Sequence, residues 1–188
     1  LDYDGCKVAV IPWINKSNYQ DYTKWAMNCN ASILGAHLEL KGFDMMPGMP
    51  NPHGMSADVF ERFEMVLSGH FHTKSHQGNV HYLGAQMEFT WADVDDPKYF
   101  HVLDTETREI EAIRNPITIF KKVVYDDSKT DYDKVDVSQF EKQFIKLIVI
   151  NKNDLYMFDK FIDRLQSIDT YELKIAESFD EYLGESVE

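Results

Sequence analysis

The chain has 188 residues, of which 44% are hydrophobic and 13% aromatic, enough to bury one real core with room for a small second module. A formal net charge of −13 works against nucleic-acid binding, because affinity for a phosphate backbone comes from clustered Lys and Arg. No apolar run reaches the roughly 20 residues that span a bilayer. Two cysteines, Cys6 and Cys29, lack framework spacing and point to a reducing compartment, with cytoplasm as the default.

Residues 7–11 alternate and are rich in Val and Ile, which predicts a strand ended by Pro12. Residues 18–28 read as a helix capped by Ser17, with Tyr22, Trp25, Ala26 and Cys29 on one face. Residues 31–36 read as a buried strand with His37 at its end. A strand-helix-strand unit of this kind favours parallel pairing with a right-handed crossover. Residues 42–54, with three glycines and three prolines, read as a long loop, either walling the active-site cleft with Met45, Met46 and Met49 packing it down or lying passive on the surface. Residues 56–64 read as a helix capped by Ser56, and the apolar run 65–68 as a buried strand. Residues 80–83, 99–104 and 110–114 read as antiparallel strands, the last two joined by the polar turn 104–108.

The polar run 126–136 marks a boundary, giving modules 1–125 and 126–188. In the second module a strand at 144–150 precedes a helix from Asn153 or Asp154 to about Ser167. That helix presents Tyr156, Phe158, Phe161, Ile162 and Leu165 as an apolar face. A strand at 171–176 completes a βαβ unit. The acid runs 93–96 and 177–188 read as solvated, while Lys121, Lys122, Lys142, Lys146, Lys152, Lys160 and Arg164 put the basic charge in the second half.

The chemistry concentrates in Gly69-His70-Phe71-His72, which follows the strand at 65–68. A Gly without Cβ permits a sharp turn there, and neutral imidazole is the commonest side-chain metal ligand. Sites in open α/β sheets gather at the carboxyl ends of strands, so neighbouring parallel strands would bring His37 to His70 and His72. That grouping suits a two-metal centre for phosphoryl displacement, or else an ordinary loop. A closed structural zinc site favours Cys ligands, and the two cysteines are not so arranged. Glu39 is placed either to hydrogen-bond a ligand imidazole or as a surface carboxylate, and His53 either to touch a phosphate from the cleft loop or to stand passive. His76 and His81 read as loop and strand residues, with His81 facing solvent or the site, and His101 as a satisfied core residue. Trp13 and Trp91 read as packing residues rather than base-stacking platforms. No activated cysteine, phosphate loop or dinucleotide fingerprint is present.

Five runs carry a resemblance: 8–13 (VAVIPW), 33–43 (ILGAHLELKGF), 66–73 (VLSGHFHT), 79–85 (NVHYLGA) and 98–107 (KYFHVLDTET). In this order they resemble the calcineurin-like metallophosphoesterases, and among them the nuclease subunit of the SbcCD-type recombination and double-strand-break repair complex in its tailed-phage form. The later runs 144–150 and 154–165 resemble that family's smaller capping domain. The resemblance implies an α/β fold: the second half of a layered αββα sandwich, then a βαβ capping domain that orients DNA. It implies His37 and His70 as ligands of one Mn²⁺ and His72 as a ligand of a second, with Mg²⁺ as a substitute; Glu39, His53 and Gly69 are the supporting or substrate-facing candidates read from their own places in the chain.

It further implies a DNA exo- and endonuclease acting in recombination, repair and replication, working as a homodimer with an SbcC-like ABC-type ATPase that carries a coiled coil. No membrane is involved, and the compartment is the cytoplasm, that of the host for a phage protein. The family's Asp-x-His, Gly-Asp-x-x-Asp and Gly-Asn-His-Asp motifs do not occur here, so no catalytic acid or base is assigned. The chain reads as the middle-to-late part of a longer protein with half of an active site. A phosphatase of nucleotides or phosphoproteins, and a non-catalytic interaction fragment, are the alternatives.

Overall fold

The computed structural model describes residues 1–177 and divides into two compact units. The first comprises Leu1–Met87 and Asp95–Pro116; the second comprises Glu88–Val94 and the chain from Ile117 onward. The division therefore falls before the polar run 126–136 that marks it in the sequence. The acidic terminus 178–188 lies outside the described residues.

In the first unit a six-stranded sheet has the order β1-β2-β3-β6-β8-β7. Its parallel centre is β2 (Cys6–Val10), β3 (Ile33–His37), β6 (Met65–Gly69) and β8 (Val80–Tyr82). The antiparallel edges are β1 (Asp2–Tyr3) and β7 (Ser75–Gln77). Both faces of a parallel centre must be covered. Leu34 and Val66 face a core with Leu38, Leu40, Phe43, Phe60, Phe63 and Ala26, the last from α1 (Tyr19–Asn28). Their strand neighbours Ile33 and Met65 face the other way, onto Cys6, Leu103 and Ile110. Leu103 and Ile110 come from the antiparallel hairpin of β9 (Tyr99–Leu103) and β10 (Ile110–Arg114). Asp104 closes that hairpin by accepting from the amides of Glu106 and Thr107, each at 2.8 Å.

Several local readings change. Asn15, not Ser17, organises the entry to α1: its Oδ1 accepts from the Ser17 amide and hydroxyl, and Asn18 occupies the N-cap. Trp25 stays 39% exposed, so Ala26 and Thr23 make the buried face of that helix. Residues 57–60 form only a single 3₁₀ turn, although Ser56 does cap it. The 42–54 segment is a hairpin rather than an open loop, with β4 (Asp44–Met46) paired to β5 (Met49–Pro50). Its base is closed by buried Asn51, whose Nδ2 donates to the Leu40 carbonyl. Gly54, at φ +92°, passes so close to the Glu39 carbonyl that a Cβ would lie 2.6 Å from it. Strand β8 pairs parallel with β6, not as part of an antiparallel meander, and β7 carries no apolar signal at all.

The second unit is a three-stranded parallel sheet in the order β11-β12-β13. Strand β11 (Phe120–Asp126) joins β12 (Phe144–Asn151), α2 (Leu155–Gln166) and β13 (Glu172–Ala176). One face of α2 buries Phe158, Phe161 and Leu165 on Tyr125, Ile145, Leu147 and Val149. Tyr156, read as part of that face, is 74% exposed. Tyr132 stacks on Tyr125 with centroids 4.1 Å apart, and its hydroxyl accepts from the Asp126 amide and donates to the Val124 carbonyl. Arg164 of α2 donates to the carbonyls of Tyr132 and Val135, which fastens the β11–β12 connection to the helix.

Residues 88–94 belong to this unit for a physical reason. The buried carboxylate of Glu88 accepts from the amides of Ile119 and Phe120 at 2.6 and 2.9 Å, and Trp91 packs on Phe120 and under the Lys146 ammonium. Asp93, read as solvated, is buried and accepts from the Phe89 and Thr90 amides.

Asp154 caps α2 by accepting from the Met157 amide at 3.0 Å. Asp154→Ala should lower stability by about 1 kcal/mol, read as a shift of the urea midpoint; an unchanged midpoint would show that the cap carries no weight.

Candidate metal centre

His37 ends β3 and Gly69 ends β6, and the two are register partners in the parallel sheet. The turn after Gly69 carries His70 at φ +93°, a left-handed conformation uncommon for a residue with a Cβ. The result is an edge-on pair of imidazoles, His37 and His70, with centroids 5.4 Å apart. Gly69 makes room for it, since a Cβ there would sit 2.9 Å from His37 Nδ1. Trp13, just beyond the end of β2, completes an aromatic cluster at 4.6 Å from His70 and 5.6 Å from His37. Trp13 packs, and its packing partners are the two imidazoles.

The chain on either side is held firmly. After His37 the segment 38–40 leaves the sheet, and two hydroxyls take over its hydrogen bonds. Ser68 Oγ accepts from the Leu38 amide at 3.0 Å and donates to the Gly69 carbonyl at 2.9 Å. Tyr82 Oη donates to the Leu38 carbonyl at 2.8 Å and accepts from the Leu40 amide at 3.0 Å. Burial pushes the Tyr82 phenol up to about 12, so it stays a donor at any physiological pH.

Between the two histidines of the motif, Phe71 is buried against Tyr82 at 4.8 Å and pins the loop to the core. Beyond it, Lys98 Nζ donates to the His72 carbonyl at 3.2 Å and pairs with Asp96 at 2.7 Å, and Asp96 also accepts from Thr73 Oγ1. Gly84 seals the turn, since a Cβ at its φ of +75° would lie 2.9 Å from the same His72 carbonyl. Neither Lys98 nor Gly84 stands out in the sequence, because each acts through one backbone carbonyl far away in the chain.

The electrostatics favour a ligand-ready His70. Burial first, then the proximity of His37, lower its pKa from the ordinary 6.5, so it is neutral at pH 7 with a lone pair to offer. The Glu39 charge opposes that shift, and among the described residues its carboxylate has no hydrogen bond to an imidazole. His53 is exposed in the 42–54 hairpin, its amide held by Asn51 Oδ1. His76 and His81 stack on each other at 4.2 Å. His101 is half-buried in a cleft rather than in the core. The donor chemistry fits part of a divalent-metal site: two imidazoles brought together, a third, His72, on the same loop. Among the described residues no three His, Cys, Asp or Glu side chains converge as a complete ligand set.

No family model matches the chain. It is similar to exonuclease subunit 1 of Enterobacteria phage T4, at 32% identity over 182 residues. That alignment takes in 96% of this chain and 51% of the phage T4 protein, so the chain spans about half the length of the curated relative it matches. Among the described residues no helix is long and apolar enough to cross a membrane.

Two outcomes follow. Tyr82→Phe strands the buried Leu40 amide and the Leu38 carbonyl, and should cost about 1–3 kcal/mol in chemical denaturation; a neutral change would mean that the 38–40 segment is held by other contacts. His70, His81 and His101 all sit below 6.5, each through burial first. The unfolded chain therefore binds more protons near that pH, and stability is fully present above 6.5 and falls as pH drops through it. The urea midpoint should decline between about pH 7.5 and pH 5.5; a flat profile would contradict the shifts.

Proposed function

We propose that the chain supplies the His37, His70 and His72 portion of a two-metal centre in a phage-type DNA nuclease subunit. On this reading its first unit is the second half of an αββα metallophosphoesterase sandwich, and its second unit is a capping module over the DNA. The observation that carries the proposal is the His37–His70 pair at the carboxyl ends of adjacent parallel strands, which Gly69 alone leaves room for. The similarity to a phage exonuclease subunit supports DNA as the substrate. The cofactor would be Mn²⁺, with Mg²⁺ as a substitute, and a bound divalent ion would offset charge developing on the phosphodiester.

In this scheme His37 and His70 hold one ion and His72 faces the second. Burial keeps His70 deprotonated, Ser68 and Tyr82 fix the direction of His37, and Lys98 fixes the loop that carries His72. The protein would act as a homodimer with an SbcC-like ATPase in recombination, repair and replication, in the host cytoplasm. A second reading, a fragment that is non-catalytic by itself, is favoured by one observation: no complete ligand set converges among the described residues.

Calorimetric titration of Mn²⁺ into the 188-residue chain tests the centre. The expected result is weak binding that His70→Ala abolishes and Gly69→Ala reduces by about ten-fold, the cost of one displaced ligand at roughly 1.4 kcal/mol. Mn²⁺ binding untouched by His70→Ala would overturn the assignment. Cleavage of linear DNA by the longer protein, compared with small phosphomonoesters, separates a nuclease from a phosphatase.

A further inference from the structure

A cleft of about 410 Å³ lies within the first unit, and none of His37, His70 or His72 lines it. Its walls come from β6, β7 and β8 on one side and from the β9–β10 hairpin on the other. Lys74, Ser75, His76, His81, His101 and Arg108 supply its polar lining, and no carboxylate does. In a chain of net charge −13, two cations and three imidazoles line this one cavity, with the Glu64 carboxylate paired to Arg108. The floor is apolar, from Met65, Leu83, Ile110 and Ala112.

The donors in this cleft are under-used. The Lys74 ammonium lies over the Tyr99 ring at 4.8 Å and makes no hydrogen bond among the described residues. Arg108 engages Glu64 through Nε alone, at 3.3 Å, which leaves both terminal nitrogens of its fork without a partner there. Ser75 Oγ is buried with no hydrogen-bond partner, a state that costs free energy until something satisfies it. The three imidazoles do not converge as metal ligands. Cationic donors with spare N–H groups facing a cavity call for an oxyanion, and the volume lies within the roughly 300–1,000 Å³ typical of small-molecule sites.

We propose that this cleft binds a phosphate monoester of nucleoside-monophosphate size, its phosphate held by Lys74 and Arg108 and its ring laid on the apolar floor beside the His76–His81 stack. The histidines supply a readout. Burial first, then His76, lowers the pKa of His81, and burial first, then Lys74, lowers that of His101. A bound anion opposes both shifts and moves the imidazole resonances. The site stands without the metal-centre reading, so His70→Ala should leave it intact.

The test is NMR of the histidine rings in the 188-residue chain, titrated with deoxyadenosine 5′-monophosphate, inorganic phosphate or deoxyadenosine at constant ionic strength. The expected result is saturable movement of the His76, His81 and His101 signals with the monophosphate. Inorganic phosphate should act more weakly and deoxyadenosine not at all. Lys74→Met and Arg108→Gln should each weaken binding by about ten-fold or more, as expected for loss of a charge-assisted hydrogen bond. Absence of saturable movement, an identical response to sodium chloride, or unchanged affinity in both variants would overturn the site. Equal affinity for phosphate and monophosphate would overturn the placement of the ring.

Discussion

Two hydroxyl groups hold the candidate centre together. The segment 38–40 leaves the sheet immediately after His37, where the Leu38 amide and carbonyl and the Leu40 amide need partners. Ser68 and Tyr82 supply those partners from the neighbouring strands β6 and β8. A buried backbone group without a hydrogen bond costs about 1–3 kcal/mol, so this small network decides where β3 ends and where His37 points. Phe71 uses the same tyrosine ring as its packing surface, which ties the loop of His70 and His72 to the core that positions His37. One side chain, Tyr82, thus organises both halves of the histidine cluster.

The loop itself stores strain. His70 sits at a φ that costs a residue with a Cβ on the order of 1–3 kcal/mol, and it persists only because its surroundings over-determine it. The anchors are chemically varied: a buried phenylalanine, an ammonium on the His72 carbonyl, and a glycine at Gly84 where any side chain would collide with that carbonyl. Backbone strain with rigid support on both sides suits a ligand loop that must present imidazoles without reorganising.

The second unit relies on buried charge in place of extra helices. Glu88 satisfies the first amides of β11, and Asp126 at its far end gathers Ser128, Lys129 and Asn151, which holds its carboxyl far below the usual carboxylate range. With α2 on one face, these contacts make an independent core from three short parallel strands.

Much of the architecture is legible in the sequence where period and burial agree. The apolar runs ending in His37 and Gly69, the 99–114 hairpin with its Asp104 turn, and α2 with its Asp154 cap follow from residue type and spacing, because each is specified by neighbours within a few residues. The partners of those elements are not local. Strand β8 has the alternation of a meander but pairs parallel with β6, and the Gly/Pro-rich stretch 42–54 folds into a hairpin because Asn51 and Gly54 meet the backbone of 39–40. His101 reads as core but lines an open cleft, and Asp93 reads as solvated but is buried. The sequence by itself determined that an imidazole ends one buried strand run and that a Gly-His-x-His turn follows another. Only the tertiary structure decided that His37, His70 and Trp13 meet and that Lys74, Ser75 and Arg108 share a cavity, because those meetings are set by strand order and by hydrogen bonds between residues far apart in the chain.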